Sequence, residues 1–225
     1  MSLERRFTNL QARILAACRA AQRSPQAVRL LAVSKTRPAE QVHALQQLGQ
    51  HAFGENYVSD ALAKVQALHE LPIEWHFIGP LQSNKTQAVA RHFDWVQSVD
   101  REKIVRRLAE QRPTELSPLQ VLIQVNIDRE PQKSGCLPEQ VDALAEAIAS
   151  HSTLNLRGLM AIPTANQDQV SIAFEGMHRA FEQLAAIHPS VDTLSMGMSN
   201  DLEQAIAAGA SMIRIGTDLF GPRQP

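Results

Sequence analysis

The sequence is poor in cysteine. Cys18 and Cys136 are its only two, and they stand far apart with no CxxC spacing. That excludes a disulfide framework and a thiolate metal site, and it fits a reducing, cytoplasmic setting. A charge excess of one sign is also missing. Lys and Arg number 22 against 23 Asp and Glu, a net charge of -1, so neither nucleic acid nor an anionic membrane is the expected partner. No apolar run approaches the ~20 residues of a membrane span. The opening stretch, MSLERRFTNLQARILAACRA, is broken by charge every few positions and lacks the apolar core of a secretory signal. The eight histidines form no HExxH or other metal spacing, and there is no P-loop or GxSxG elbow.

What remains is an ordinary globular composition, 44% hydrophobic and 20% charged over 225 residues. A chain of this size can bury a full core without staples. No internal repeat or domain-separating linker interrupts it, so residues 1–225 are expected to form one domain. Leu3, Phe7, Leu10, Ile14, Ala17 and Ala21 recur at steps of three and four, which predicts an amphipathic helix over about residues 2–23. Eight short apolar runs follow, at Leu30–Val33, Ala52–Gly54, Trp75–Ile78, Trp95–Val99, Leu119–Asn126, Leu156–Ile162, Thr193–Met196 and Met212–Gly216. Helical stretches separate them: Pro38–Leu48, Tyr57–Leu68, Ser83–His92, Arg101–Gln111, Glu139–Ala149, Asp168–Ile187 and Asp201–Ala208.

Strands alternating with helices in this number predict an α/β fold, a single-domain (β/α)8 TIM-type barrel. The rival doubly wound sheet usually has fewer strands and a glycine-rich first turn, whereas Val33-Ser34-Lys35-Thr36-Arg37-Pro38 contains no glycine. Thr217–Pro225 are too few for a full eighth helix, so the N-terminal helix is expected to fill that place in the outer ring.

Barrel active sites lie at the C-terminal ends of the strands. Leu31, Val33 and Lys35 share one face of the first strand. If that face points inward, an amine sits atop the barrel, where partial desolvation favours a Schiff-base nucleophile. The competing reading is a plain strand-end lysine with its ammonium in water. Met196-Gly197-Met198-Ser199-Asn200-Asp201 and Ile215-Gly216-Thr217 end the last two strands, where this fold commonly holds phosphate. They also read as tight turns and a helix cap. Arg214 lies on the same side of its strand as Gly216, and an inward arginine needs a partner. The polar run Asn126–Gly135 reads as a loop, either a lid or simply solvated.

These residues also carry a resemblance. Ala32-Val33-Ser34-Lys35-Thr36, Phe53-Gly54-Glu55-Asn56-Tyr57, Trp75-His76-Phe77-Ile78-Gly79-Pro80-Leu81-Gln82-Ser83-Asn84-Lys85, Gly158-Leu159-Met160, Leu194–Asp201 and Arg214–Thr217 resemble the pyridoxal phosphate homeostasis protein family. The likeness runs from about Leu30 to Gly221. It implies a fold-type III barrel related to the N-terminal domain of alanine racemase, binding pyridoxal 5'-phosphate (PLP) as a lysine aldimine. By that resemblance Lys35 is the Schiff-base lysine, while Ser199, Gly216 and Thr217 hold the phosphate with the Met198 backbone. Arg214 faces the pyridine nitrogen, and Asn56, His76 and Met160 line the ring pocket.

The resemblance implies a monomeric carrier of PLP in vitamin B6 homeostasis, with apo PLP-dependent enzymes as recipients and no metabolic turnover of its own. The alternative is a fold-type III PLP-dependent amino-acid racemase. That reaction needs a second acid/base on the far face of the cofactor. Racemase relatives take it from a tyrosine on a further β-rich domain, and here the single tyrosine, Tyr57, follows Asn56 near strand two. A Schiff-base aldolase for sugar phosphates would share the lysine and the phosphate cup but not the set of motifs.

Overall fold

The computed structural model describes residues 1–164 and 167–222, without the side chains of Gln167 and Asp168. The last three residues of the expected domain, 223–225, lie outside the described ones. Eight parallel strands close into a barrel in sequence order. They are β1 (Arg29–Val33), β2 (Ala52–Glu55), β3 (Glu74–Phe77), β4 (Trp95–Val99), β5 (Leu119–Gln124), β6 (Leu154–Met160), β7 (Thr193–Ser195) and β8 (Met212–Ile215). The barrel closes through β1 and β8, with Leu31 opposite Arg214.

Helix α1 (Leu3–Ala20) begins at Ser2, whose hydroxyl accepts from the Arg5 N–H. Its buried face is Phe7, Leu10, Ile14, Ala17 and Cys18. The ring continues with α2 (Ala39–Gln47), α3 (Val58–Ala67), α4 (Thr86–His92), α5 (Glu102–Gln111), α6 (Val141–Ala149), α7 (Gln167–Ile187), α8 (Leu202–Ala207) and α9 (Thr217–Phe220). The expected place of α1 is the observed one: it packs against α8, α9 and α2. Arginines tie it there. Arg6 donates to the Phe220 carbonyl, Arg23 to those of Ile206 and Ala210, and Arg13 pairs with Glu203 and Asp218.

Two differences from the sequence reading have local causes. Strand five stops at Gln124 rather than Asn126, because there the backbone pairs with Cys136 of the following loop, the Asn126 N–H donating to the Cys136 carbonyl, while the Asn126 amide bonds Glu130. Four residues after β8 form the short helix α9, which has too few apolar positions to show a period.

The apolar core lies in two shells. Between sheet and helices pack Ala32, Phe53, Trp75, Phe77, Val96, Ile123, Leu194 and Ile213, all buried. Inside the barrel sit Leu31, Ala52, Ile78 and Met212 on one side and Trp95, Leu122 and Met160 on the other. Each such large side chain contributes about 1.5–3 kcal/mol by leaving water. The alternation of Leu31 inward and Ala32 outward is the pleat of a strand covered on both faces.

Outside β1 and β2 a buried ion pair locks the upper strand ends. Lys64 Nζ donates to Glu55 Oε1 and to the Ser34 carbonyl, each at 2.7 Å, and the Ser34 hydroxyl donates to the same carboxylate oxygen at 2.5 Å. Burial pushes the Glu55 carboxyl up, against the opposing pull of Lys64. Ser34 and Glu55 each precede an inward residue, Lys35 and Asn56, so the lock fixes where those two point.

Candidate functional site

A cavity of about 790 Å³ opens at the C-terminal ends of the strands. Lys35, Asn56, Met198, Ser199, Arg214, Gly216 and Thr217 all line it. Sequence reasoning singled out these seven from four separate strand ends, and the barrel brings them to one wall.

Lys35 is half-buried, one pleat above Val33, which also faces the cavity. Immediately after it Thr36 takes φ 64°, a left-handed backbone that a β-branched residue rarely adopts. The Arg37 N–H closes the turn on the Ser34 carbonyl at 3.0 Å. Strain of this kind persists only where neighbours over-determine it, and the Ser34–Glu55–Lys64 lock lies directly beneath.

Arg214 is 4% exposed in the cavity floor. Its Nη1 donates to Ser195 Oγ and its Nη2 to the Ala161 carbonyl, both at 2.8 Å. Burial lowers its pKa to about 10, with Asp201 pulling the other way, so the guanidinium stays charged at neutral pH. Asn56 presents a buried Oδ1 that accepts no hydrogen bond among the described residues. Asn56 also sits under a tight crossing. A Cβ on Gly79 would lie 2.1 Å from the Asn56 carbonyl oxygen, so only glycine lets the two strand ends approach.

The loop after β7 is shaped by Gly197 at φ +95°, where a Cβ would meet Ala205 at 2.5 Å. Its glycine therefore serves the turn and the packing of α8. The Met198 N–H, expected to face phosphate, donates to Asp201 Oδ1. Ser199 and Thr217 line the same wall.

Two expected ring-pocket residues lie elsewhere. His76 is fully buried, stacked on Trp95 with ring centroids 5.0 Å apart. Met160 is fully buried against Trp95 and Leu122. Both sit one pleat too deep. Ile78 and Ile162, two residues further along each chain, line the cavity instead. The motif gave the correct strand and inward phase but not the layer, because the strand ends are staggered around a tilted barrel.

His76 joins a polar line that sequence reasoning missed altogether. Its Nε2 donates to Glu74 Oε1 at 2.7 Å, and its Nδ1 meets Gln97 Nε2 at 2.9 Å. Burial pushes the imidazole pKa down, against Glu74. Burial would raise Glu74, but the hydrogen bond from His76 and the charge and hydrogen bond of Arg29 outweigh it and hold the carboxyl below its ordinary range. Arg13 was also missed. It reaches the cavity wall from α1, and nothing in a helical stripe marks an outward arginine as a site residue.

Among the described residues no cluster of three or more histidine, cysteine or acidic groups could hold a metal, and no helix is long and apolar enough to cross a membrane. The residues present fit a phosphorylated aldehyde with a ring nitrogen: an amine, a donate-only guanidinium, hydroxyls at a glycine turn and an orphaned amide oxygen converge on one cavity.

Comparison with known proteins gives the same direction. The family profile described as alanine racemase, N-terminal domain, matches residues 8–224. The pyridoxal phosphate homeostasis protein of Pasteurella multocida is 51% identical over 229 residues, covering 99% of this chain and 98% of that one. Its counterpart in Pseudomonas aeruginosa is 52% identical over 221 residues, covering 96% and 94%. Among solved structures, PipY of Synechococcus elongatus with PLP bound superposes with a TM-score of 0.80 at 35% identity, covering 94% of this chain and all 100% of that one. Alanine racemase from Corynebacterium glutamicum shares the fold, with a TM-score of 0.67 at 17% identity over 96% of this chain and 62% of its own.

Proposed function

The chain belongs to the alanine racemase N-terminal domain family, among its pyridoxal phosphate homeostasis proteins, and on that footing we propose that it holds PLP in the cavity above the barrel and passes it to apo-enzymes. It acts as a monomer in the cytoplasm. The observation that carries this reading is the convergence of Lys35, Arg214, Ser199 and Thr217 on one cavity. When bound, PLP supplies an aldehyde with which a lysine amine condenses, losing water.

Each residue has a task in that site. Lys35 offers the amine, aimed by the locked ends of β1 and β2. Arg214 donates to the pyridine nitrogen. A guanidinium cannot accept a hydrogen bond, so it keeps that nitrogen unprotonated and the ring a poor electron sink. This suits storage better than carbanion chemistry. Ser199 and Thr217 receive the phosphate beside the Gly216 backbone, and the Asn56 amide flanks the ring. His76 and Met160 support the floor from one layer below.

The test is to incubate the full chain with PLP, reduce with borohydride and map the label. Label on Lys35 is the expected result. Label on another lysine, such as Lys85 or Lys133, would remove the assignment. Transfer of the cofactor from loaded protein to an apo-enzyme, faster than from free PLP at the same concentration, tests delivery.

A further inference from the structure

An unbroken line of hydrogen bonds runs down the barrel axis from the cavity floor to the opposite mouth. Arg214 Nη1 meets Ser195 Oγ at 2.8 Å, Ser195 Oγ meets Gln97 Oε1 at 2.7 Å, and Gln97 Nε2 meets His76 Nδ1 at 2.9 Å. His76 Nε2 then meets Glu74 Oε1 at 2.7 Å, and Arg29 Nη2 reaches the same oxygen at 2.6 Å. Ser195, Gln97 and His76 are 0% exposed.

The direction of every proton in this line is fixed from its ends. Arg214 can only donate, so Ser195 Oγ accepts and must give its own hydrogen to the Gln97 carbonyl. The Gln97 NH₂ then faces His76, with its second hydrogen toward Met212 Sδ at 3.1 Å. His76 Nδ1 must accept, so the imidazole is neutral and its hydrogen sits on Nε2, pointing at Glu74. Arg29 also can only donate, and Glu74 receives from both sides. No other arrangement satisfies all members, and a buried polar network is worth its desolvation only when every member is satisfied.

We propose that Ser195 and Gln97 are positioning residues that hold the Arg214 guanidinium against the cofactor ring, with His76 and Glu74 as the anchor of the line. The inference rests on the PLP reading above. Without the Ser195 acceptor, Arg214 keeps only the Ala161 carbonyl and can rotate away from the ring nitrogen. Apolar side chains of similar size at Ser195 or Gln97 would fill the space equally well, so packing does not require the polar line. Orientation of the guanidinium does.

The experiment is a double-mutant cycle on PLP affinity in the full chain, with Ser195→Ala, Arg214→Met and the pair, repeated with the PLP analogue carrying carbon in place of the ring nitrogen. Ser195→Ala should weaken PLP binding roughly tenfold, have little further effect once Arg214 is Met, and have little effect on the analogue. The bound-cofactor spectrum should shift in the same direction in Ser195→Ala and Arg214→Met, and Ser195→Cys, a weaker acceptor, should fall between. Gln97→Met runs the same cycle should Ser195→Ala fail to fold. Additive effects, or equal losses for PLP and the analogue, would overturn the positioning role while leaving the PLP reading intact. A wild-type chain that takes up no PLP removes the reading and the inference together.

Discussion

The backbone N–H of Met198 donates to the carboxylate of Asp201 at 2.5 Å. That donor stands on the cavity wall beside Ser199, and the carboxylate occupies it as an anionic acceptor would. A phosphate settling on Ser199 and Thr217 must share the loop with this charge. Asp201→Asn keeps an acceptor for the N–H and removes the charge, so it should raise PLP affinity several-fold, most at low ionic strength. Equilibrium titration at two salt concentrations checks this. Weaker binding in Asp201→Asn would mean that the carboxylate serves the cofactor through Arg214 instead.

The phosphate should supply much of the affinity, because hydrogen bonds to an ionised acceptor are the strong ones. Pyridoxal, which keeps the aldehyde and the ring, is expected to bind about a hundredfold or more weaker than PLP. Comparable dissociation constants would refute a phosphate site at Ser199, Gly216 and Thr217.

Amino acids should not be racemised at enzyme-like rates. A second base is needed opposite Lys35, and Tyr57 is 56% exposed at the start of α3, away from the cavity wall. The wall's carboxylates are engaged, Asp201 by the Met198 N–H and Asp218 by Arg13. A chiral assay on alanine decides the matter. Turnover that survives purification and disappears in Lys35→Ala would overturn the carrier reading.

How far the sequence reached follows from what each signal encodes. Apolar runs separated by amphipathic stretches mark parallel strands buried on both faces, and it is their number, eight, with a first turn that lacks glycine, that favours a closed barrel over an open doubly wound sheet. Which residues share a face was legible too, because Leu31, Val33 and Lys35 alternate with Ala32 and Ser34, but which face points inward came only from the motif resemblance. Depth was not legible. Stagger between neighbouring strands decides whether His76 or Ile78 reaches the cavity, and stagger is a property of closure rather than of any one strand. Nor could the axial line be read: Gln97 and Ser195 are polar residues within largely apolar runs, 98 positions apart, and only the closed barrel joins them.

Gly79→Ala should be severely destabilising. The added carbon would overlap the Asn56 carbonyl oxygen at 2.1 Å, and neither backbone can retreat without breaking the ends of β2 and β3. A loss above about 3 kcal/mol is expected, in the range of strained or overpacked buried sites. Urea denaturation measures it, and a loss under about 1 kcal/mol would show that the two strand ends do not meet.

Stability should carry the mark of a neutral, buried His76. Its pKa in the folded chain is pushed below the ordinary 6.5 by burial, and Nδ1 is spent as an acceptor from Gln97. Below that ordinary value the unfolded chain takes a proton that the folded chain refuses. The unfolded state then binds more protons, so stability falls as pH falls, with a slope approaching about 1.4 kcal/mol per pH unit from this group. Glu74, lowered from an ordinary 4.5 by the His76 hydrogen bond and by Arg29, contributes stability that is lost only as pH falls below that value. Glu55 and Asp94, both raised by burial, act in the opposite sense, because the folded chain gains their protons first. The measurement is therefore a difference: urea midpoints from about pH 7.5 to about pH 5 for wild type and for His76→Gln, which cannot titrate. Wild type should lose stability with acidification more steeply than the variant throughout that window. Parallel curves would mean that His76 titrates alike in the folded and unfolded chain, and a shallower wild-type curve that it is charged when folded; in either case the proton order along the whole axial line, from Arg214 to Glu74, is wrong.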